Sequence, residues 1–181
     1  MSERVQLSRS VVPDELLSRP LLFDTNIWLF VNGPFVDLMD QRHKIYSNLY
    51  GLALKSNTTI YLPQIVVTEF VGRSLRFCVE SEHSGEPPRK PHKWPEYSQW
   101  INDISDDLFH IVDACERVGD GFADLDLDAV CKAATAVAAD YNDIIISQIC
   151  AKNDAILVTD DADYKDIDIP VASANRKFFS P

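Results

Sequence analysis

Four carboxylates combine a residue type and a position that could do chemistry. Asp24 closes the apolar run Leu21-Leu22-Phe23, and Thr68-Glu69 interrupts an otherwise apolar stretch from Ile65 to Val71. Asp143 opens the run Ile144-Ile145-Ile146, and Asp161 follows Ala155-Ile156-Leu157-Val158-Thr159, with Asp160 before it and Asp163 after it. Carboxylates gathered in one place repel by about 1–4 kcal/mol per pair near a surface. Such a cluster persists only when some members are protonated or a cation sits among them. Hard oxygen donors with no His or Cys nearby favour Mg²⁺ or Mn²⁺ over zinc. One or two such ions hold a phosphodiester, lower the pKa of a bound water and stabilise the leaving oxygen. The chemistry suggested is metal-assisted phosphodiester hydrolysis, with no covalent nucleophile.

Each acid also has a plainer use. Asp24 or Asn26 suits the N-cap of the segment running into Ile27-Trp28-Leu29-Phe30. Glu69 stands four residues before Arg73, the favourable orientation for a surface ion pair. Asp143 suits a helix N-cap, Asp140 a last-turn surface position, and Asp160, Asp161 and Asp163 a solvated acidic turn. Singly these readings balance the functional ones. Together they leave unexplained why strand ends and intervening helices all carry an acid toward one crevice.

The elements that must position these acids alternate in type. Residues 20–24 and 155–158 read as buried strands of a parallel sheet. Further short strands are expected at 59–62, 122–127 and 169–172. Helices are expected at 36–55 (with Leu38, Ile45, Leu49, Leu52 and Ala53 inward), from Pro63 onward, at 96–118, at 128–139 and at 143–153. Gly85, Pro87, Pro88, Pro91 and Pro95 make 81–95 an irregular loop. Residues 1–19 read as a polar N-terminal arm with a short helix at 13–17, and 20–181 as a single domain. Alternating strands and helices specify a parallel sheet with right-handed crossovers, in which ligands meet the carboxyl ends of the strands.

The chain has 181 residues, 46% of them hydrophobic, and a net charge of -11. That balance argues against general adhesion to DNA or an anionic membrane. A bound divalent cation reverses the local sign, so a nucleic-acid substrate stays open. Cys78, Cys115, Cys131 and Cys150 are scattered, as in a reduced cytosolic protein. No membrane-length apolar run or signal peptide is evident, and a soluble, cytoplasmic protein is expected.

Four stretches in order, Leu22-Phe23-Asp24-Thr25-Asn26, Val67-Thr68-Glu69-Phe70, Asn142-Asp143-Ile144-Ile145-Ile146 and Val158-Thr159-Asp160-Asp161-Ala162-Asp163-Tyr164, resemble the motifs of PIN-domain ribonucleases. That family includes the VapC-type toxins of toxin–antitoxin pairs. The resemblance spans about 20–173 and implies a three-layer α/β/α fold with a five-stranded parallel sheet, here with a helical insertion around 81–118. It implies a Mg²⁺- or Mn²⁺-dependent nuclease acting mainly on RNA. By position, Asp24, Glu69, Asp143 and Asp161 would be the principal acids, supported by Asp163, with Asp160 left as an alternative fourth ligand. Thr25, Asn26 and Thr159 would orient water or carboxylates. If the chain is a toxin, an antitoxin protein is its expected partner.

An acidic protein that cuts RNA needs local positive charge. Arg89, Lys90 and Lys93, with Trp94 to stack a base, form the one compact basic stretch, whose plainer reading is a solvated loop. Arg73 and Arg76 on the Glu69 helix are the other candidates. The helix at 36–55 suits core packing better than a homodimer contact. Two rival readings stand beside the nuclease. One is a non-catalytic PIN-like protein-interaction module. The other is an aspartyl-phosphate phosphatase or receiver-type domain, disfavoured because Asn26 stands where a dehalogenase-type enzyme needs a second Asp and no convincing catalytic Lys accompanies the downstream acids.

Overall fold

Leu21-Leu22-Phe23 and Ile156-Leu157-Val158 lie side by side at the centre of a parallel sheet, paired Leu21 to Ile156, Leu22 to Leu157 and Phe23 to Val158. The computed structural model describes residues 3–8, 12–33, 40–87, 89–137 and 139–179. Both central strands are buried on each face, which is why they read as continuous apolar runs. In chain order the strands are β1 (Arg4–Gln6), β2 (Leu21–Phe23), β3 (Ile60–Pro63), β4 (Glu116–Val118), β5 (Ile156–Val158) and β6 (Val171–Ser173). Their order across the sheet is β1-β6-β5-β2-β3-β4, every pair parallel. From β2 the chain winds outward to β3 and β4. It then returns to β5 on the other side of β2 and winds outward again. The β2–β5 junction is therefore the topological switch point, and a crevice opens beyond the carboxyl ends of these two strands.

The helices are α1 (Thr25–Val31), α2 (Gln41–Lys55), α3 (Gln64–Glu82), α4 (Tyr97–Asp113), α5 (Leu127–Val137) and α6 (Tyr141–Lys152). Helix α1 packs on α2 and α3, α3 on α4, and α5 on α6, giving the three-layer α/β/α arrangement. Phe23, Trp28 and Tyr50 form an aromatic knot that joins β2, α1 and α2, with ring centroids 5.1–6.1 Å apart. No helix among the described residues is long and apolar enough to cross a membrane.

The expected sheet needs correcting from five strands to six. The added strand is β1, within the polar arm at 1–19, and it hydrogen-bonds to β6 at the sheet edge. Arg4-Val5-Gln6-Leu7 alternates polar and apolar residues over too few positions to mark a strand by itself; the main-chain ladder, extended by Leu7 N–H donating to Ser173 O at 2.8 Å, defines it. The other edge also differs. The helix expected to reach 118 ends at Asp113, and 116–118 forms β4. The strand expected at 122–127 is a 3-10 turn at Phe122–Asp124 leading into α5. Glu116 and Arg117 are exposed, so β4 presents no apolar face to a sequence reader. Within the helix expected at 36–55, residues 36–39 (including Leu38) lie outside the described residues; α2 accounts for the rest.

The insertion is fastened to α3 by a ring stack. His83 stacks on Trp94 at 3.7 Å, the Arg89 guanidinium lies over the same indole at 4.7 Å, and Trp100 Nε1–H donates to Glu82 at 2.8 Å. His83 faces Glu86 and Glu96 through its two ring nitrogens, 3.2 Å each, an arrangement that needs the imidazolium. Burial alone would lower its pKa, but the two carboxylates win and hold it above the usual 6.5. The stabilisation is therefore complete below about pH 6.5 and fades as pH rises through the raised value. Hydrogen exchange should report this: amides at 91–97 are expected to be better protected at pH 6 than at pH 8, after correction for intrinsic rates. Equal protection at both would remove the imidazolium from the fastening.

Candidate metal centre

Asp24 sits where β2 stops and α1 starts. Its N–H donates to Val158 O of the neighbouring strand at 3.0 Å, and its extended backbone makes it the N-cap of α1. The capping reading therefore holds, and the same residue also stands at the switch point. Its Oδ1 accepts the Thr25 N–H at 2.7 Å. Its Oδ2 accepts the Thr159 hydroxyl at 2.7 Å and an amide N–H of Asn26. Thr159 Oγ1 in turn accepts from Asn26 Nδ2 at 3.1 Å and from the Asp161 N–H at 3.0 Å. Asn26 Oδ1 accepts the Asp160 N–H at 3.0 Å. A closed set of small polar groups thus ties the carboxyl end of β2 to that of β5.

The remaining acids enter from the helices and the turn after β5. Glu69 lies on α3, where the Thr25 hydroxyl donates to its Oε2 at 3.0 Å and Arg73 stands 3.5 Å from Oε1. Both the surface ion pair and the inward contact are therefore made. Asp143 lies at the third position of α6, and its Oδ2 accepts the Asp140 N–H at 3.1 Å. The N-cap itself is Asp140, so the cap and last-turn roles expected of these two residues are exchanged for a first-turn pair. Asp161 caps the 3-10 turn Ala162–Asp166 through the Asp163 N–H, 3.1 Å from its Oδ1. Asp163 is exposed on the rim.

Electrostatics link these groups. The Asp24 carboxyl is pushed up to about 7, first by burial and further by the charges of Glu69 and Asp143, against the Thr159 and Thr25 hydrogen bonds that favour its charged form. The Asp143 carboxyl is pushed up to about 6, again first by burial, with Asp161 and Asp140 adding to the rise. Among the described residues, no three His, Cys, Asp or Glu side chains are arranged to hold a metal ion by themselves. The donor set still fits a hard cation: it is all oxygen, anionic and under mutual strain. Mg²⁺ in particular keeps several waters and takes only one or two carboxylates beside a substrate phosphate.

Asp160 and Asp161 part company here. Asp160 Oδ1 accepts the Tyr46 hydroxyl at 2.7 Å and Oδ2 faces Arg42 at 3.4 Å. Its backbone carbonyl accepts from Asn175 Nδ2 at 2.7 Å. Both of its carboxylate oxygens are engaged in joining α2 to the sheet. Asp161 instead faces Asp143 electrostatically.

Asp160, Asp161 and Asp163 line a cleft of about 380 Å³ together with Asn26 and the cations Arg42, Arg73 and Lys177, whereas Asp24, Glu69 and Asp143 are not part of its wall. Arg42, in Arg42-His43-Lys44, and Lys177, beside Arg176, were not singled out in the sequence, because neither short basic pair lies near an acidic motif that would mark it. Arg76 and Arg89 line a separate groove of about 560 Å³ with His83 and Glu80, and Lys90 and Lys93 are exposed on the same segment as Arg89. The expectation that Trp94 stacks a base is corrected. Its ring is 6% exposed and is stacked on His83, leaving little face for a ligand.

Comparison with known proteins places this geometry in context. The family model described as the PIN domain matches residues 21–170. No curated protein matches the chain. Among solved structures, the crystal structure of VapBC2 from Rickettsia felis bound to a DNA fragment from their promoter is similar, with a TM-score of 0.54 at 17% identity. The alignment covers 85% of this chain and 98% of the other. At that identity the likeness concerns the fold.

Proposed function

Because the chain belongs to the PIN-domain family, whose members are generally metal-dependent nucleases, we propose that it hydrolyses RNA phosphodiester bonds with Mg²⁺ or Mn²⁺ held among Asp24, Glu69, Asp143 and Asp161. The observation that carries the reading is Asp24: a buried carboxyl at the switch point, pushed up to about 7, with two further acids adding to the rise. Such a group gains more from a divalent cation than from any surface ion pair. When bound, the ion would supply Lewis-acid stabilisation of a phosphate oxygen and a lowered water pKa. The chain's own contributions are separate. Thr159, Asn26 and the Thr25 N–H hold Asp24 in one rotamer, and Thr25 fixes Glu69. Asp143 and Asp161 complete the anionic wall, with Asp163 on the rim as an outer support.

Arg42, Arg73 and Lys177 would receive the phosphates on either side of the scissile bond. Replacing Arg73 and Lys177 together with Ala is expected to weaken binding of a single-stranded RNA about tenfold and to flatten its salt dependence by roughly 0.7 per lost contact. The triple variant Arg89→Ala, Lys90→Ala, Lys93→Ala tests the more distant groove in the same titration. A loss confined to that triple variant would move the RNA path away from the cleft. The proposal extends to the toxin of a toxin–antitoxin pair, whose antitoxin would insert a basic side chain among the acids.

A panel of RNAs incubated with Mg²⁺, Mn²⁺ or EDTA tests the activity itself. Cleavage that depends on the ion and stops in EDTA is expected; cleavage that persists in EDTA would defeat the metal mechanism, and no cleavage of any RNA would favour an interaction module.

A further inference from the structure

Tyr164 supplies a buried polar group that nothing in the cleft uses. It is fully buried within the turn Ala162–Asp166, directly after Asp161. Its hydroxyl is sealed from water and has no partner in good hydrogen-bond geometry among the described residues. The charged groups it faces are Asp24 and Asp143; its third neighbour, the Cys150 thiol, is pushed up to about 12 by burial first and then Asp24, and stays neutral. Asp143 lies near enough for the hydroxyl to favour its charged form. A buried hydroxyl without a partner is costly, and a phenyl ring fills the same space without that cost. Of these two carboxyls, Asp143 is the one placed as a hydrogen-bond acceptor for the hydroxyl, and it is already held at Oδ2 by the Asp140 N–H.

We infer that Tyr164 is a positioning residue for Asp143: its Oη donates to that carboxylate and, with the Asp140 amide, fixes the plane in which the carboxylate meets a divalent cation. The inference rests on the proposed metal-dependent reading of the same cleft. Two donors from different elements restrict the rotation of the group, and groups in this outer role tune metal affinity by about 10- to 100-fold.

Mn²⁺ titration of the full chain, followed by the electron paramagnetic resonance of the free ion, separates the two ideas. The proteins compared are wild type, Tyr164→Phe and Asp143→Asn. Wild type is expected to bind. Asp143→Asn is expected to lose binding, and Tyr164→Phe to bind about tenfold more weakly. The metal-free melting temperature of Tyr164→Phe should equal or exceed that of wild type, and its cleavage should recover as Mn²⁺ is raised. Wild-type Mn²⁺ affinity in Tyr164→Phe, with Asp143→Asn defective, overturns the role of Tyr164 alone. A lowered metal-free melting temperature with unaltered affinity shows a structural residue and overturns it too. Absence of Mn²⁺ binding in wild type, or full binding in Asp143→Asn, overturns the metal reading of the cleft itself.

Discussion

Asp24→Asn is expected to abolish cleavage while making the metal-free protein more stable at alkaline pH. The two effects share one cause. A carboxyl raised from 3.8 to about 7 in the folded chain is penalised in its charged form. The sign follows from proton linkage: between those values the folded state holds the proton better than the unfolded state. Stability therefore falls as pH rises across that window, and the deficit is complete above pH 7. A rise of that size corresponds to about 4 kcal/mol. The neutral amide removes this penalty but introduces another. Asn26 Nδ2 and the Thr159 hydroxyl both donate to Asp24 Oδ2, and an amide nitrogen there would oppose the Asn26 donor. A net gain of about 2 kcal/mol at pH 8 is the expected balance, or a melting temperature higher by roughly 4–8 °C. The gain should shrink toward pH 4. Added Mg²⁺ should raise the wild-type melting temperature by mass action and leave the variant's unmoved. Under the proposed metal reading, cleavage should fall on the order of 10³-fold, because a carboxylate proposed to hold the cation loses its charge. Melting curves that coincide from pH 4 to pH 8 would remove the electrostatic strain, and undiminished cleavage would remove Asp24 from the chemistry.

How much of this was legible depended on whether a residue's role is decided locally. The central strands β2 and β5 are buried on both faces, so their sequences announce themselves as uninterrupted apolar runs closed by acids. The candidate acids Asp24, Asp143 and Asp161 drew notice for the same reason, since each stands where an apolar element meets a polar turn, whereas Glu69 lies within α3 and was singled out by the apolar residues around it. The edge strands were not. Arg4-Val5-Gln6 and Glu116-Arg117-Val118 are strands because a neighbouring backbone offers hydrogen bonds, and backbone pairing leaves no trace in side-chain pattern. Trp94 was misread because an aromatic beside basic residues looks alike whether its ring meets a base or His83. Arg42 reaches Asp160 across 118 positions, a contact that only the tertiary fold creates. The fourth acid was ambiguous for a related reason: Asp160 and Asp161 are identical in type and adjacent. Tyr46 of α2 and Asn175 after β6 are what separate them in space.

That separation yields the second large effect, opposite phenotypes from neighbouring aspartates. Tyr46 is fully buried, and burial together with Asp160 keeps its hydroxyl protonated as a donor. The hydroxyl also accepts the Ala174 N–H at 3.0 Å, so one oxygen joins α2, the turn after β5 and the segment after β6. Asp160→Ala leaves that donor buried without its charged acceptor and frees Arg42, at an expected cost of about 2–4 kcal/mol. The melting temperature should drop by roughly 10 °C, while the protein that remains folded binds Mn²⁺ as before. Asp161→Asn keeps an oxygen for the Asp163 N–H and should change stability by less than about 0.5 kcal/mol. Its cleavage should fall about 100-fold, because the carboxylate facing Asp143 loses its charge. A double-mutant cycle of Asp160→Ala with Tyr46→Phe should show coupling of about 1 kcal/mol or more, and Asp161→Asn with Tyr46→Phe should be additive. Were the stability loss to follow Asp161 and the activity loss Asp160, the fourth acid of the cleft would have to be reassigned to Asp160, since a carboxylate bound to Tyr46 cannot be both expendable for the fold and decisive for the chemistry under the assignment made here.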